Sequence, residues 1–382
     1  MIVYLDNSAT TKVRKEVLDE IIEANENNYG NPSSLHRMGL RAEKEIENSR
    51  KSLAKLINAK PEEVYFTGSG TESNNIAIFG LSNLNSKDNI ITTRIEHPSV
   101  YNVFRKLEKK CKVKFLDTDS SGRIDLMQLK ENIDRNTKIV SIIHVNNEIG
   151  TIQDLESIGE IIKSQNVNTK FHVDGVQSYG KLKIDVNKLP IDTMAFSSHK
   201  VHGPKGVGGL YIRSGIKLNS LIYGGGQEKG IRSGTENTPG IIGFGKACEL
   251  INSSFSEERN KLYQLKGQYI KRLTEEIPDT KINSPADSIA APHIINVSFK
   301  NVPGEVLVHY LEDKGIFVST GSACSSKARD NRIIEALNIS KEYEGTIRIS
   351  LGYFNNFEEI EYVVYNIKKS VEDIRFITNK RG

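Results

Sequence analysis

Cysteine is scarce in this chain: Cys111, Cys248 and Cys324 are the only three in 382 residues, with no C-x-x-C pair and no metal-ligand spacing. That excludes a disulfide-stapled scaffold and a cysteine-built metal centre, and it fits a reducing compartment. An excess of one charge is lacking too. The 52 Lys and Arg face 48 Asp and Glu, a formal +4 that is intermixed along the chain. No basic arm or stripe argues for direct nucleic-acid binding. No apolar run is long enough to span a membrane, and Met1-Ile2-Val3-Tyr4-Leu5-Asp6 is not the basic-then-apolar opening of a secretory signal. No membrane association and a cytoplasmic location are therefore expected. Internal repeats and low-complexity segments are absent as well.

What is present is a long alternation of strand-like and helix-like segments. The length suits two domains, or one large α/β domain with a satellite. Val64–Phe66, Asn89–Thr93, Val113–Leu116, Lys138–His144, Lys170–Val173, Ile191–Phe196 and Val207–Ile212 read as strands. Helical periodicities between them predict a mostly parallel seven-stranded sheet with helices on both faces. Near the start, Ser33 or Ser34 is placed to cap a long helix running to about Ile57, and Asn31 reads as a turn former. A helical stretch from about Pro239 to Ile277 is expected to break at Ser253-Ser254, where the domain boundary is placed. The large domain is then 13–255. Residues 1–12 and 256–382 form a smaller α+β domain.

Polar residues recur at or just past the strand ends: Thr71, His97, Asn147, Asp174 with Gln177, then Ser197, His199 and Lys200. At the carboxyl edge of an open sheet such residues converge in space, and that edge is where ligands bind. Thr67-Gly68-Ser69-Gly70-Thr71 is a Gly-rich turn before a helix, a plausible anion cradle or an ordinary βα turn. Lys200 is either a surface cation or an amine held against a carbonyl cofactor as a Schiff base. Pyridoxal phosphate would need such a lysine, a carboxylate for its pyridinium nitrogen, a flat group over its ring and donors for its phosphate. Lys200, Asp174, His97, and the Gly70–Thr71 turn with Ser197 and His199 supply that inventory. Gln177 stands within reach of the ring hydroxyl.

The chain also resembles a known family, the pyridoxal-phosphate cysteine desulfurases of the NifS/IscS type, with the fold of the aspartate aminotransferases. The resemblance rests on Leu5-Asp6-Asn7-Ser8-Ala9-Thr10-Thr11, Asn31-Pro32-Ser33-Ser34-Leu35-His36, Thr71-Glu72-Ser73-Asn74-Asn75, Asn146-Asn147-Glu148-Ile149-Gly150, His172-Val173-Asp174, Ser197-Ser198-His199-Lys200, Arg232-Ser233-Gly234-Thr235 and Gly321-Ser322-Ala323-Cys324. It implies that Lys200 is the Schiff-base lysine and the base at the substrate Cα. Asp174 would pair with the pyridinium, His97 would stack on the ring and move protons as a catalytic residue, and Thr71, Ser197 and His199 would hold the phosphate. Thr235 would reach that phosphate from a neighbouring subunit, making a homodimer. Asn31, Asn147 and Arg348 would bind the substrate carboxylate region, a guanidinium being able to bond both oxygens.

The same resemblance makes Cys324 the residue that takes sulfur from L-cysteine, holding it as a persulfide while alanine leaves. Its small neighbours and Lys327 suit an accessible, partly ionised thiol. Cys111 and Cys248 read as buried structural residues. The segment from Cys324 to Arg348 and the tail look shorter than in members that serve an iron–sulfur scaffold. His202-Gly203-Pro204-Lys205-Gly206 and Gly224-Gly225-Gly226-Gln227-Glu228 look more like a branch supplying tRNA thiolation. The sulfur-acceptor protein stays open between those two. Two other readings stand beside this one: a different enzyme on the same cofactor, such as an aminotransferase or selenocysteine lyase, and a non-catalytic sulfur-relay partner.

Overall fold

The computed structural model of the chain describes residues 1–286, 289–320, 332–343 and 345–379. The strands are β1 (Val3–Tyr4), β2 (Val64–Thr67), β3 (Asn89–Thr93), β4 (Lys112–Leu116), β5 (Thr137–Ile143), β6 (Lys170–Asp174), β7 (Thr193–Ser197), β8 (Gly208–Ile212), β9 (Thr280–Ile282), β10 (Ile294–Phe299), β11 (Ile316–Phe317) and β12 (Thr346–Ser350). Seven of them form one sheet in the order β2-β8-β7-β6-β5-β3-β4. Neighbours from β7 to β4 pair in parallel, and β8 lies antiparallel between β2 and β7. Six strands therefore end at the same edge. Strands β7 and β8 are buried at every position, the continuous burial of a sheet covered on both faces.

Helices α1 (Lys15–Asn27), α2 (Arg37–Lys55), α3 (Gly70–Leu81), α4 (Pro98–Leu107), α5 (Leu126–Asn132) and α6 (Leu155–Gln165) accompany this sheet. The cap of α2 is His36, whose Nδ1 accepts from Gly39 N at 3.3 Å, rather than Ser33 or Ser34. The serines sit too early: Asn31 O already takes the Ser34 N–H to close the preceding turn. The core under the sheet includes Phe66, Val140, Phe171, Tyr179, Phe196 and Phe244, with the Tyr179 and Phe196 rings stacked at 4.2 Å.

Helix α7 (Thr238–Glu276) is unbroken, contrary to the expected interruption. The Ser253 and Ser254 hydroxyls donate back to Leu250 O at 2.7 and 3.0 Å, so these serines satisfy themselves on the helix instead of ending it. Its first half buries Ile241, Phe244 and Cys248 in the sheet's core; its second half buries Leu265, Tyr269 and Leu273 in another. That second core is closed by a β12-β10-β9 sheet and by α8 (Gly304–Glu312), with α9 (Arg332–Ala336) and α10 (Glu358–Asn379) completing the helices.

The N-terminal segment belongs to this second assembly. Strand β1 pairs in parallel with β11, and Asp6 bridges to Ser350. Beyond Asp6 the chain turns back to the large sheet, where Thr11 N donates to His199 O at 2.9 Å. A stretch that reads in sequence as a short polar lead-in thus brings backbone carbonyls to the strand-end edge. Among the described residues, no helix is long and apolar enough to cross a membrane.

Candidate active site

The strand ends position the site. Asp174 closes β6 and is 2 % exposed. Its Oδ1 accepts from Val176 N at 3.0 Å and its Oδ2 from Asn74 Nδ2 at 2.8 Å. Asn74 lies one helical turn into α3 and is fully buried. Its Oδ1 meets His172 Nε2 at 3.0 Å, and its Nδ2 also reaches Ser99 Oγ at 2.9 Å. Ser99 Oγ lies 2.8 Å from His97 Nδ1, which in addition accepts the Ser99 N–H at 3.2 Å. Because Ser99 Oγ accepts from Asn74, its proton points to His97. The Nδ1 atom is therefore an acceptor, and neutral His97 carries its proton on Nε2. One asparagine fixes both the Asp174 carboxylate and, through Ser99, the imidazole.

Burial holds His97 below the ordinary imidazole range, with Lys200 and Arg332 adding to that and Asp174 opposing it. Lys200 lies in the turn after β7 and donates to Ser8 O at 2.6 Å and Ala9 O at 2.7 Å. Gln177 shares the first of these carbonyls: its Nε2 donates to Ser8 O at 2.9 Å while its Oε1 faces His293. His199 Nδ1 lies 3.2 Å from Thr10 Oγ1, and burial beside Lys200 brings its pKa down to about 4.

The anion cradle is built where α3 meets β7. Gly70 opens the helix, and a Cβ there would stand 2.6 Å from Val176 Cγ2 and 3.4 Å from Ser197 Cβ, so no side chain fits between helix and strand. The Ser197 hydroxyl is buried and has no partner. An orphaned buried hydroxyl beside a helix N-terminus suits an anion, and the first-turn N–H groups add to it. Thr71 stands exposed at that first turn. With Lys200 and the Asn74-held Asp174 on the same edge, the residues present fit pyridoxal phosphate.

Arg348 on β12 is 3 % exposed, donating to Asp6 Oδ1 at 2.7 Å and to Asn147 O at 2.8 Å. Its Nε is buried without a partner. The structure thus brings Arg348 and Asn147 together, with Asp6 supplying an internal carboxylate. Asn31 and Thr235 lie in exposed loops. Asn31 uses its Oδ1 to accept the Ser33 N–H at 2.9 Å. Thr235 lines a groove of about 80 Å³ with Gly68, Gly206 and Arg232. Cys324 lies outside the described residues. Cys111 and Cys248 are buried and unpaired; burial raises both thiols, that of Cys248 to about 12.

Known proteins share this architecture. The profile of the family described as Aminotransferase class-V matches residues 3–363. The chain belongs to this family. It is 42% identical over 379 residues to a protein named "Cysteine desulfurase IscS" from Clostridium botulinum, covering 98% of this chain and 95% of that one. A solved NifS-like protein superposes with a TM-score of 0.92 at 39% identity, covering 97% of this chain and 100% of the other. A structure of SspA in complex with cysteine superposes at 0.78 with 35% identity, over 91% and 98% of the two chains. As a class-V cysteine desulfurase with the type I fold, the chain depends on pyridoxal phosphate.

Sequence reasoning missed Asn74, Ser99 and Glu96. Asn74 is a polar residue just ahead of the apolar Ile76-Ala77-Ile78 run, spaced to face the sheet with Gly70. Asn74→Ala is expected to leave Asp174 short of a donor, a loss of ~1–3 kcal/mol. Titrating the apoenzyme with cofactor should show weaker binding, with the fold retained. Glu96, 1 % exposed, accepts from Ile143 N and Thr93 Oγ1, each at 2.9 Å, and its Oε2 has no partner. Burial raises its pKa to about 8, the Asp174 charge adding to this. A carboxyl group raised in the folded state favours folding below its unfolded value, and that contribution is lost as pH rises through about 8. Glu96→Gln should therefore gain thermal stability relative to the parent as pH goes from about 5 to about 9. A pH-independent difference would remove the neutral-acid assignment.

Proposed function

We propose that the strand-end cluster is where this cysteine desulfurase takes sulfur from L-cysteine, releases alanine and leaves a persulfide on Cys324 for an acceptor protein. The observation that carries the reading is that Lys200, Asp174 and His97 converge at one sheet edge, two of them oriented by a single buried asparagine.

Pyridoxal phosphate, when bound, supplies the electron-withdrawing ring that makes the substrate Cα–H acidic. Asp174 would keep the ring nitrogen protonated, and the Asn74 donor steadies that carboxylate. Gly70, Thr71, Ser197 and His199 would hold the phosphate. His97 would lie on the ring face, and Gln177 would stand by the ring hydroxyl. Lys200 would be the covalent anchor and would take the Cα proton at Nζ. In the present geometry its amine is held by two backbone carbonyls at the strand-end edge. Asn147 and Arg348, with Asn31, would receive the substrate carboxylate. The bond from Arg348 to Asp6 then opens or is shared, because the carboxylate competes for the same guanidinium edge.

Cys324 attacks the substrate sulfur as a thiolate. The new S–S bond forms as the Cβ–S bond breaks, and the electron pair left on carbon is protonated to give alanine. The two described cysteines are unsuited to this, since both are buried with raised thiols. The working unit in this reading is a homodimer in which Thr235 serves the partner's phosphate. Exposed Tyr29, Leu35, Leu221 and Tyr223 on the neighbouring loops support such an interface. The acceptor is an iron–sulfur scaffold or a tRNA-thiolation enzyme.

The purified enzyme is expected to be a dimer in light scattering and to release alanine from L-cysteine, faster with a thiol or acceptor present to clear the persulfide. A protein that binds cofactor but forms no alanine would instead be a non-catalytic relay.

A further inference from the structure

A second cavity borders the Lys200 turn. This cavity, of about 30 Å³, is lined by Lys181, Lys200, His202, Glu258 and Arg259 among apolar side chains such as Phe255. Lys181 Nζ and Arg259 Nε are both buried with no hydrogen-bond partner. The side-chain acceptors nearest the cavity already receive hydrogen bonds. Both Glu258 oxygens accept from Arg14 at 2.7 Å. His202 Nε2 accepts from Tyr353 N at 3.2 Å, while its Nδ1 donates to Lys12 O at 2.9 Å.

Donors without acceptors, in a predominantly positive and partly open cavity, define the occupant. A water needs ~10–15 Å³ and 2–4 polar partners, some of them acceptors for its own protons. The volume suffices for one water-sized body and is far too small for an organic anion. A monovalent anion satisfies both donors and offsets the buried charge, which a neutral water does not. We propose that this cavity binds a halide-sized monovalent anion, held by Lys181 Nζ and Arg259 Nε beside the Lys200 turn.

The charge balance supports it. Burial, and then Lys200, bring the Lys181 pKa down to about 7. The groups facing it are Lys200, His199, His202, His293, Arg14, Arg259 and the already paired Glu258. The site is thus strongest at pH below about 7, where the amine is charged, and weakens as the amine loses its proton. The occupied site couples the charge beside Lys200 to the halide content of the medium.

Crystals of the holoenzyme soaked in sodium bromide, measured at the bromine edge, should show an anomalous peak between Lys181 and Arg259. The peak should vanish in Lys181→Met. In solution at pH 6, replacing a bulky organic anion by bromide at equal ionic strength should raise the thermal midpoint of the wild type by a few degrees. The increase should shrink at pH 9 and be lost in Lys181→Met and Lys181→Gln. Density without anomalous signal in the wild type, a peak that survives Lys181→Met, or equal midpoint shifts in wild type and variants would each overturn the assignment. The wild-type soak decides the matter even where a variant folds poorly.

Discussion

Lys200→Ala is expected to end L-cysteine turnover and to release the cofactor from covalent attachment. Loss of a positioned base alone lowers the rate by ~10²–10⁴-fold, and in the proposed mechanism Lys200 is both base and anchor. The fold should persist, because the amine's bonds are to two backbone carbonyls, Ser8 O and Ala9 O, at a segment also held by Gln177 and Thr11. Cofactor should still bind, since Asp174, the Asn74 network and the α3–β7 cradle are untouched. After borohydride reduction, peptide mapping of the wild type should place the cofactor on Lys200, and the variant should carry none. A retained linkage would move the role to another lysine. Lys205, in the same turn beyond His202, is exposed and is the first alternative.

Cys324→Ser is expected to separate the two halves of the reaction. Serine preserves size, but its hydroxyl stays protonated where a thiol ionises, and only the ionised form attacks sulfur at a useful rate. The variant should bind cofactor as the wild type does and still respond spectrally to L-cysteine, because Lys200, His97 and Arg348 are intact. Steady-state alanine release should fall to background. Cys111→Ser and Cys248→Ser provide the contrast. Both thiols are buried and raised, and Cys248 packs against the Tyr179 hydroxyl at 3.5 Å, so these changes should affect stability more than turnover. Wild-type alanine release in Cys324→Ser would remove the persulfide role.

The edge on which these residues meet was legible because polar side chains at several strand ends must converge when the strands run parallel. The grouping of Lys200, Asp174, His97 and Ser197 as one constellation followed from that geometry. What holds them was not legible. Asn74 faces inward from a helix, and its partners Asp174, His172 and Ser99 come from distant stretches of sequence. Nothing in the spacing marks the carbonyls of Ser8 and Ala9 as the seat of Lys200. The break expected at Ser253-Ser254 failed for a local reason, since serine hydroxyls bond back to the helix as readily as they cap a new one. Arg348 was expected to await a carboxylate and already holds one, Asp6. That pairing spans 342 positions of sequence, which no local pattern encodes.

The most direct measurement supplies the enzyme with L-cysteine labelled on sulfur, traps thiols with an alkylating reagent after one turnover, and maps the label by mass spectrometry. The account predicts one labelled sulfur added to the Cys324 peptide, one alanine formed per label, and loss of the label to an acceptor protein on chase. Alanine formed with the label appearing only as free sulfide, or on Cys111 or Cys248 while Cys324 stays unmodified, would contradict it.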